Sequence, residues 1–319
     1  MSSTVPPLLD RPPVATPAAA PAAHAACAPD SPTPAFASSG APRPARKVSV
    51  VTLRGLKSRG IPASCVTAYD YPTATFADVA GVDVILVGDS AAMTVLGLPN
   101  TLGIGMDEML VFAKAVARGA RRAFVIGDLP FLSYQASDRD AIRNAGAFVA
   151  AGCDAVKCEG GARIARRVRA IATAGIAVMG HIGLTPQAIG QQGGYRVQGK
   201  TDEETDSLVH DALALEGAGA FAILVEATPP DTAARIREAV DIPVYGIGAG
   251  PHVDGQLVIS HDLLGNFVGE VRPKFVSRLA NVDDVVTTAF TQYADEVRTG
   301  AFPAPRHWYA ASTPTTHNA

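Results

Sequence analysis

The chain has 319 residues, of which 48% are hydrophobic and 18% are charged, and its formal net charge is −3. This composition is typical of a folded, soluble protein and excludes a peptide-sized or disulfide-stapled scaffold. Because nucleic acids and anionic membranes attract concentrated positive charge, the charge balance predicts neither as a partner and favours small molecules. The sequence also lacks a window of about eighteen apolar residues, so it predicts no membrane-spanning helix.

The four cysteines give no sign of a metal finger or a disulfide framework. They are Cys27, Cys65, Cys153 and Cys158, and no two of them form a CxxC pair or a Cys/His finger spacing. The pattern predicts reduced thiols and a cytoplasmic location.

Residues 1–46 differ from the rest of the chain in composition. They contain 11 of the 24 prolines and 13 alanines, with few aliphatic side chains. Such a segment buries too little apolar surface to offset the entropy of ordering it, so we predict a disordered, partly polyproline-like extension. Prolines interrupt every apolar run that a secretory signal would need, and the lipoprotein-like Ala25-Ala26-Cys27 is interpreted as coincidence. We predict a catalytic domain over 47–302 and a tail over 303–319.

From Val48 onward, short apolar runs alternate with helical patterns, which is typical of parallel β/α units. The predicted strands are Ser64–Asp70, Val82–Ser90, Ala123–Asp128, Ala155–Glu159, Ala177–Ile182, Ala222–Glu226, Val244–Ile247 and Leu257–His261. Eight strands in this rhythm predict a closed TIM-type (β/α)8 barrel.

The helical segments between the strands have recognisable ends. The predicted helices are Asp138–Ala151, Arg163–Ala174, Asp202–Ala218, Asp231–Val240 and Asp283–Arg298. The first three of these are followed by Gly152, Gly175 and Gly219, and glycine is the expected residue just past a last turn. Thr201 and Glu204 have the spacing of a capping box. The last helix is predicted to pack outside the barrel or on another subunit.

Five acidic residues each stand at the predicted C-terminal end of a different strand. They are Asp70, Asp89, Asp128, Glu159 and Glu226. In a β/α barrel these ends converge on one mouth, where active sites lie. A single acid there has an alternative role as an Asx turn or helix N-cap, but the repulsion among several predicts a bound cation. Oxygen ligands without a Cys/His set favour Mg²⁺ over zinc.

Strand alternation places one lysine with these acids. Lys157 and Glu159 are two residues apart and therefore point to the same side of the sheet. If that side is the barrel interior, the ammonium group must meet a carboxylate, either from the protein or from an anionic substrate. A purely structural lysine–acid pair is the alternative interpretation.

Two glycine-containing loops have more than one interpretation. Residues 184–200 form a long connection that we predict to be a lid, with a surface Ω-loop or a subunit contact as the alternative. Gly246-Ile247-Gly248-Ala249-Gly250 is similar to a phosphate cradle, but such glycines also permit close approach of chain or ligand.

Seven short motifs occur together in one order. They are Val66-Thr67-Ala68-Tyr69-Asp70-Tyr71, Val87-Gly88-Asp89-Ser90, Asp128-Leu129-Pro130-Phe131, Val156-Lys157-Cys158-Glu159-Gly160-Gly161, Gly180-His181-Ile182-Gly183-Leu184-Thr185-Pro186-Gln187, Gly193-Gly194-Tyr195-Arg196-Val197-Gln198-Gly199 and Gly246-Ile247-Gly248-Ala249-Gly250. The whole set closely resembles the ketopantoate hydroxymethyltransferase family, also called 3-methyl-2-oxobutanoate hydroxymethyltransferase. The resemblance covers about Val48 to Phe302.

The resemblance implies a TIM-type barrel of the phosphoenolpyruvate mutase/isocitrate lyase-like group and a reaction of pantothenate biosynthesis. In that reaction a hydroxymethyl group passes from 5,10-methylenetetrahydrofolate to 3-methyl-2-oxobutanoate through a metal-stabilised enolate, giving 2-dehydropantoate and tetrahydrofolate. It further implies one Mg²⁺ per subunit, a 2-oxo acid and folate as small-molecule partners, and a homo-oligomer, often a decamer.

The resemblance also implies roles for individual residues. The metal ligands fall on Asp89, Asp128 and Glu159, and the oxo-acid contacts fall on Asp89, Ser90, Asp128 and Lys157. The general base falls on Glu226, next to Ala227, where some members of the family have cysteine. His181 could contact the substrate or Glu226, or could be a hydrogen-bonded barrel histidine without a direct role.

Two other classes of function are weighed against this interpretation. One is a metal-dependent C–C or C–P lyase or mutase of the same barrel superfamily, although the lyase motif of the KKCGH type is absent from the sequence. The other is a non-catalytic scaffold that binds partners through residues 1–46. A scaffold has no physical need for an inward lysine beside several acids.

Overall fold

The computed structural model describes residues 46–269 and 273–309. The predicted extension over 1–46 lies outside the described residues except for its last one, and Cys27 lies outside them as well. The predicted tail over 303–319 is described only as far as residue 309. The three domain boundaries therefore stay predictions.

Eight parallel strands pair in chain order, and the last pairs with the first to close a barrel. They are β1 (Ala63–Thr67), β2 (Val84–Val87), β3 (Phe124–Asp128), β4 (Ala155–Glu159), β5 (Ala177–Gly183), β6 (Ala222–Glu226), β7 (Val244–Ile247) and β8 (Gly255–Val258). The predicted TIM-type barrel is confirmed. Strands β1 and β2 are shorter than predicted, because the chain leaves the sheet at Thr67 and at Val87 to form the loops of the barrel mouth.

The helices surround this barrel and mostly end where glycine permits a left-handed residue. They are α1 (Val50–Ser58), α2 (Tyr71–Ala80), α3 (Ala91–Thr94), α4 (Met106–Gly119), α5 (Asp138–Ala150), α6 (Ala165–Thr173), α7 (Ile189–Gln192), α8 (Asp202–Gly217), α9 (Pro230–Ala239), α10 (Ser260–Leu264) and α11 (Val282–Thr299). The predicted stops Gly152, Gly175 and Gly219 have φ values of 104°, 89° and 100°, as expected just past a helix end. The capping box is half formed. The hydroxyl of Thr201 accepts from the backbone N–H of Glu204, but the carboxylate of Glu204 accepts from the backbone N–H of Lys200 and not from that of Thr201.

The core has two layers that follow strand alternation. Ala155 of β4 belongs to the apolar cluster that includes Ile126 and Leu224, whereas Val156 and Cys158 belong to a second cluster that includes helix residues. Because side chains two apart share a face, Lys157 and Glu159 lie on the same side as Ala155, inside the barrel. The interior of the barrel is therefore apolar along most of its length and charged at the C-terminal ends of the strands.

Helix α11 lies apart from these layers. None of its 18 residues is buried, and Val285, Phe290 and Tyr293 are exposed. It is joined to the preceding segment through the N–H of Asp283, which donates to the carbonyl of Gly265 at 3.2 Å. Among the residues that the structure describes, α11 included, no helix combines the length and apolar character needed to cross a bilayer.

Gly127 of β3 tests the packing between barrel and helices. A Cβ atom at this position would collide with the ring of Phe148 on α5. We expect Gly127→Ala to lower the free energy of unfolding by about 1–3 kcal/mol, the usual cost of overpacking a core, measured by urea denaturation. Gly146 lies on α5, the helix that carries Phe148, and a carbon added there has open space around it. Gly146→Ala is therefore the matched control and should not destabilise the protein. Equal stability of the two variants would contradict this packing.

Candidate active site

Three buried carboxylates meet at the C-terminal end of the barrel. Asp128 and Glu159 are the last residues of β3 and β4, and Asp89 lies two residues after β2. One oxygen from each lies within 4.8 Å of the other two, and all three residues are at most 4% exposed. The backbone N–H of Asp89 donates to Asp128 Oδ2 at 3.0 Å, which ties the two strand ends together. We call these three residues the carboxylate cluster.

Lys157 provides the cluster with one compensating charge. Its Nζ atom lies 2.9 Å from Asp128 Oδ1 and 2.8 Å from Glu159 Oε1. Burial alone would lower the pKa of Lys157, but Asp128 and Glu159 outweigh it and hold the pKa well above its usual value. Burial would likewise raise the pKa of Glu159, but Lys157 and His181 hold it below its usual value. Lys157 is therefore an ammonium group and Glu159 a carboxylate.

The cluster still carries an excess of negative charge. Burial, followed by repulsion from Asp128 and Glu159, raises the pKa of Asp89 well above its usual value. The buried oxygen Asp128 Oδ1 makes no aligned hydrogen bond, although the ammonium group of Lys157 is near it. Hard oxygen ligands and surplus negative charge fit a divalent cation such as Mg²⁺.

His181 of β5 joins the cluster to the acid at the end of β6. Its Nδ1 atom lies 3.2 Å from Glu159 Oε1, and its Nε2 atom lies 3.1 Å from Glu226 Oε2, without the alignment of a good hydrogen bond. Burial and Lys157 alone would lower the pKa of His181, but Glu159 and Glu226 outweigh them and raise the pKa to about 9. The ring of His181 therefore lies between two carboxylates, and its Nδ1 atom is also 3.2 Å from Lys157 Nζ. Glu226 is 17% exposed and is the acid most open to a ligand.

Ser90 lies beside the cluster at the barrel mouth. Its Oγ atom is 2.8 Å from the phenol oxygen of Tyr69. When Tyr69 donates this hydrogen bond, the Ser90 hydroxyl is free to donate to a ligand. Together with Asp89, Asp128 and Lys157, it forms the set that the sequence predicted for the oxo acid.

The prediction that Asp70 belongs to this group is wrong. Its side chain accepts from the N–H of Thr73 at 2.7 Å and from the Thr73 hydroxyl at 3.0 Å, so it caps helix α2. The reason is that β1 ends at Thr67, three residues before Asp70, so Asp70 directly precedes α2 and its carboxylate is used by that helix. The alternative role of a helix N-cap applies here.

Gln187 is a site residue to which the sequence assigned no role. Its Nε2 donates to Asp89 Oδ2 at 3.0 Å and to the carbonyl of Leu129 at 2.9 Å, while its backbone N–H donates to Glu159 Oε2 at 3.0 Å. Tyr134, also unassigned, accepts from the N–H of Glu159 at 2.8 Å, and its hydroxyl lies 3.0 Å from Gln187 Oε1. These two residues hold the carboxylates in place. The only sequence signal for Gln187 was its position in the motif after β5.

The contacts of Gln187 predict that it affects metal affinity. Gln187→Leu keeps the bulk of the side chain but removes the hydrogen bonds to Asp89 and to the loop after β3. We expect the affinity for Mg²⁺ or Mn²⁺, measured by titration calorimetry, to fall about 10- to 100-fold, the usual effect of losing a group that orients a ligand. Gln191→Leu, on the same loop but hydrogen-bonded to Arg163, is the control. Equal affinities in both variants would contradict this role.

The two glycine-containing loops are both described. The hydroxyl of Tyr195, in the long loop, lies 3.7 Å from the sulfur of Met93, which follows β2. The role of this loop as a lid stays a prediction. A Cβ atom on Gly248 would lie 2.6 Å from Phe275, and one on Gly250 would lie 2.7 Å from Pro230. Both glycines therefore permit other parts of the chain to approach closely.

A family model described as ketopantoate hydroxymethyltransferase matches residues 47–305. The chain belongs to the ketopantoate hydroxymethyltransferase family. It is 52% identical over 253 residues to a 3-methyl-2-oxobutanoate hydroxymethyltransferase of Pyrobaculum aerophilum, covering 79% of this chain and 95% of the relative. It is 51% identical over 266 residues to an enzyme of the same name from Alkaliphilus metalliredigens, covering 83% and 94%.

Solved structures of other proteins have a similar fold. Phosphonopyruvate hydrolase in complex with oxalate and Mg²⁺ gives a TM-score of 0.54 at 16% identity, covering 81% of this chain and 92% of that one. 2,3-Dimethylmalate lyase, a PEP mutase/isocitrate lyase superfamily member, gives 0.53 at 17% identity, covering 83% and 91%. At these identities the likeness shows the barrel fold alone.

Proposed function

We propose that this enzyme transfers a hydroxymethyl group from 5,10-methylenetetrahydrofolate to 3-methyl-2-oxobutanoate, giving 2-dehydropantoate and tetrahydrofolate. The family match and the names of relatives about half identical over most of the chain support this reaction. The observation that carries it in the structure is the buried carboxylate cluster, with Lys157 inside it and Glu226 facing it across His181.

The carboxylate cluster would hold the cation. Asp89, Asp128 and Glu159 offer hard oxygen ligands, which suit Mg²⁺ better than zinc. When bound, a divalent cation would act as a Lewis acid that polarises the 2-oxo group and makes the C3 hydrogen of the oxo acid more acidic.

The chain's own residues bind the oxo acid and move its proton. Lys157 and the hydroxyl of Ser90 would bind the carboxylate and oxo oxygens of the substrate. Glu226 would accept the proton from C3. Water would add to the methylene carbon of the folate, whose two C–N bonds break, which releases tetrahydrofolate and leaves the carbon as formaldehyde. The carbanion at C3 would attack this carbon, and the resulting alkoxide would take up the proton held by Glu226. The Nε2 atom of His181 lies 3.1 Å from Glu226 Oε2, so we infer that His181 positions the base. Water supplies the oxygen of the new hydroxymethyl group.

The proton-transfer half of this reaction can be followed without folate. We expect Mg²⁺-dependent loss of the C3 proton signal of 3-methyl-2-oxobutanoate in deuterated water, measured by proton NMR, and formation of 2-dehydropantoate once methylenetetrahydrofolate is added. A folded, metal-loaded protein that neither exchanges the proton nor forms the product would contradict the proposed function.

The lyase or mutase alternative has weaker support. Its representatives among solved structures are only 15–18% identical to this chain, whereas relatives named as hydroxymethyltransferases are 48–52% identical. Isocitrate-like and phosphoenolpyruvate-like compounds therefore serve as negative controls in the same assay. Turnover of either would favour the alternative.

We also propose a cytoplasmic homo-oligomer, with a decamer as the expected assembly. Helix α11 supports the assembly, because its apolar residues recur at the spacing of one helix face yet stay exposed, including Val286, Phe290, Tyr293 and Val297. A second copy of the chain is the occupant that would bury this face. Light scattering coupled to gel filtration should give a mass well above that of one chain, and a monomer at micromolar concentration would contradict this assembly.

A further inference from the structure

A large cavity adjoins the carboxylate cluster on the side of the loops that follow β3, β4 and β5. Its volume is about 520 Å³, within the range of about 300–1,000 Å³ that is typical of pockets for drug-sized ligands. Its inner end is formed by Tyr134, Glu159 and Gln187, which hydrogen-bond to one another and to the cluster. The cavity is therefore next to the carboxylate cluster and larger than a small 2-oxo acid requires.

The walls of this cavity are apolar and partly exposed. They include Leu102, Phe131, Leu132 and Ile164, of which Phe131 is 39% and Leu132 is 61% exposed. Leu132 has a φ of 62°, a backbone conformation that leucine rarely adopts. A strained residue that presents an apolar side chain to a cavity is a feature of binding sites, since folding alone gives no reason for it. These walls suit a flat, apolar or aromatic group.

The outer end of the cavity is basic. Arg163, Arg166 and Arg167 line it, and Asp138 is paired with the last two of them. The partner of Arg163 is the uncharged amide of Gln191, at 2.7 Å. At the inner end, the charge of Glu159 is matched by Lys157 and His181. One aspartate among three guanidinium groups leaves an excess of positive charge, which suits carboxylates.

We propose that this cavity binds the p-aminobenzoyl-glutamate half of the folate co-substrate. The aromatic ring lies between the walls of Phe131, Leu132 and Ile164, and the glutamate carboxylates lie at the arginines. The methylene carbon is then at the inner end, near Gln187 and the cluster. This assignment rests on the proposed function and adds the site of its second substrate. It further predicts that a longer glutamate tail binds more tightly, since additional carboxylates meet the other guanidinium groups.

Arg163→Ala tests this assignment through a difference between the two substrates. We expect the KM for 5,10-methylenetetrahydrofolate to rise about tenfold, the usual effect of losing a charge-assisted contact, and Arg163→Lys to restore part of it. The KM for the oxo acid and the folate-independent proton exchange at C3 should stay within about twofold. Arg139→Ala removes the same charge from an exposed position that does not line the cavity, and it should change neither KM.

A second variant and a binding probe guard against a simple folding defect. Leu132→Gly removes the apolar wall while accepting the positive φ, so the variant should fold and show the same selective rise in KM for folate. In wild type, p-aminobenzoyl-glutamate should inhibit competitively against methylenetetrahydrofolate, and p-aminobenzoate, which lacks the carboxylates of glutamate, should inhibit at least about tenfold less well.

The outcomes separate this assignment from the proposed function. Unchanged folate KM in Arg163→Ala and Leu132→Gly, together with normal turnover, would overturn the cavity assignment and leave the function intact. An equal rise in both KM values would also overturn it, because it would show a general disturbance of the site. If wild type fails to exchange the C3 proton or to form product, the proposed function fails instead.

Discussion

Glu226→Gln should remove proton exchange at C3 of 3-methyl-2-oxobutanoate while leaving metal binding in place. Glutamine keeps the size of the side chain but has no basic oxygen of comparable strength, so the C3 proton has no acceptor. We expect the exchange rate and the rate of product formation both to fall about 10²- to 10⁴-fold, the usual contribution of a positioned general base. Proton NMR in deuterated water measures the first rate and product formation measures the second.

The same variant distinguishes a base from a residue that only shapes the site. Glu226 does not belong to the carboxylate cluster, so the Mg²⁺-induced rise in melting temperature should be the same in Glu226→Gln and in wild type. Glu238→Gln, at an exposed position on α9, is the control for the loss of one negative charge and should behave as wild type. Wild-type exchange in Glu226→Gln would assign the base to another residue.

Local patterns in the sequence were enough to predict the barrel and most of the charged side chains that meet at its C-terminal end. The alternation in β4 placed Lys157 and Glu159 together in the barrel interior, because the period of a strand is set by the backbone and not by distant contacts. The ends of β3 and β6 fell at Asp128 and Glu226 as predicted. In a parallel barrel each of these ends faces the same mouth, so a one-dimensional pattern yields a three-dimensional cluster.

Asp70 shows where this reasoning fails. A strand end was assigned from its apolar residues alone, whereas Pro72 and Thr73 already indicate the first turn of a helix with Asp70 as its N-cap. Gln187, Tyr134 and the arginine-lined cavity are a different kind of omission. They depend on contacts between loops that follow different strands, and no local periodicity encodes which loop residues meet.

Asp89→Asn should separate the stability of the protein from its ability to bind metal. Burial and the neighbouring acids raise the pKa of Asp89 well above its usual value, so its ionised form destabilises the folded protein at neutral pH when no cation is present. Asparagine removes that charge and can still accept the hydrogen bond from Gln187. In EDTA, we therefore expect the variant to melt at a higher temperature than wild type.

With Mg²⁺ the order should reverse. A cation that binds only the folded wild type stabilises it by about 2.7 kcal/mol at a free concentration about 100 times the dissociation constant, and the variant should lose most of this gain. Proton exchange at C3 should also fall, by at least about 100-fold. The substitution removes one proposed ligand of the metal and one proposed contact of the oxo acid. Calorimetric melting with and without Mg²⁺ measures the first effect, and NMR measures the second.

Asp70→Asn is the matched control, since asparagine caps a helix about as well as aspartate and Asp70 lies outside the cluster. It should melt as wild type does in EDTA and should gain the same stability from Mg²⁺. Asp89→Asn could instead lower the melting temperature in EDTA. The Asp89 carboxylate of wild type would then stabilise the folded protein by its attraction to Lys157, and this attraction would outweigh the repulsion from the neighbouring acids. That result would mean that the cluster is balanced without a cation, and it would remove the electrostatic argument for a metal at this site.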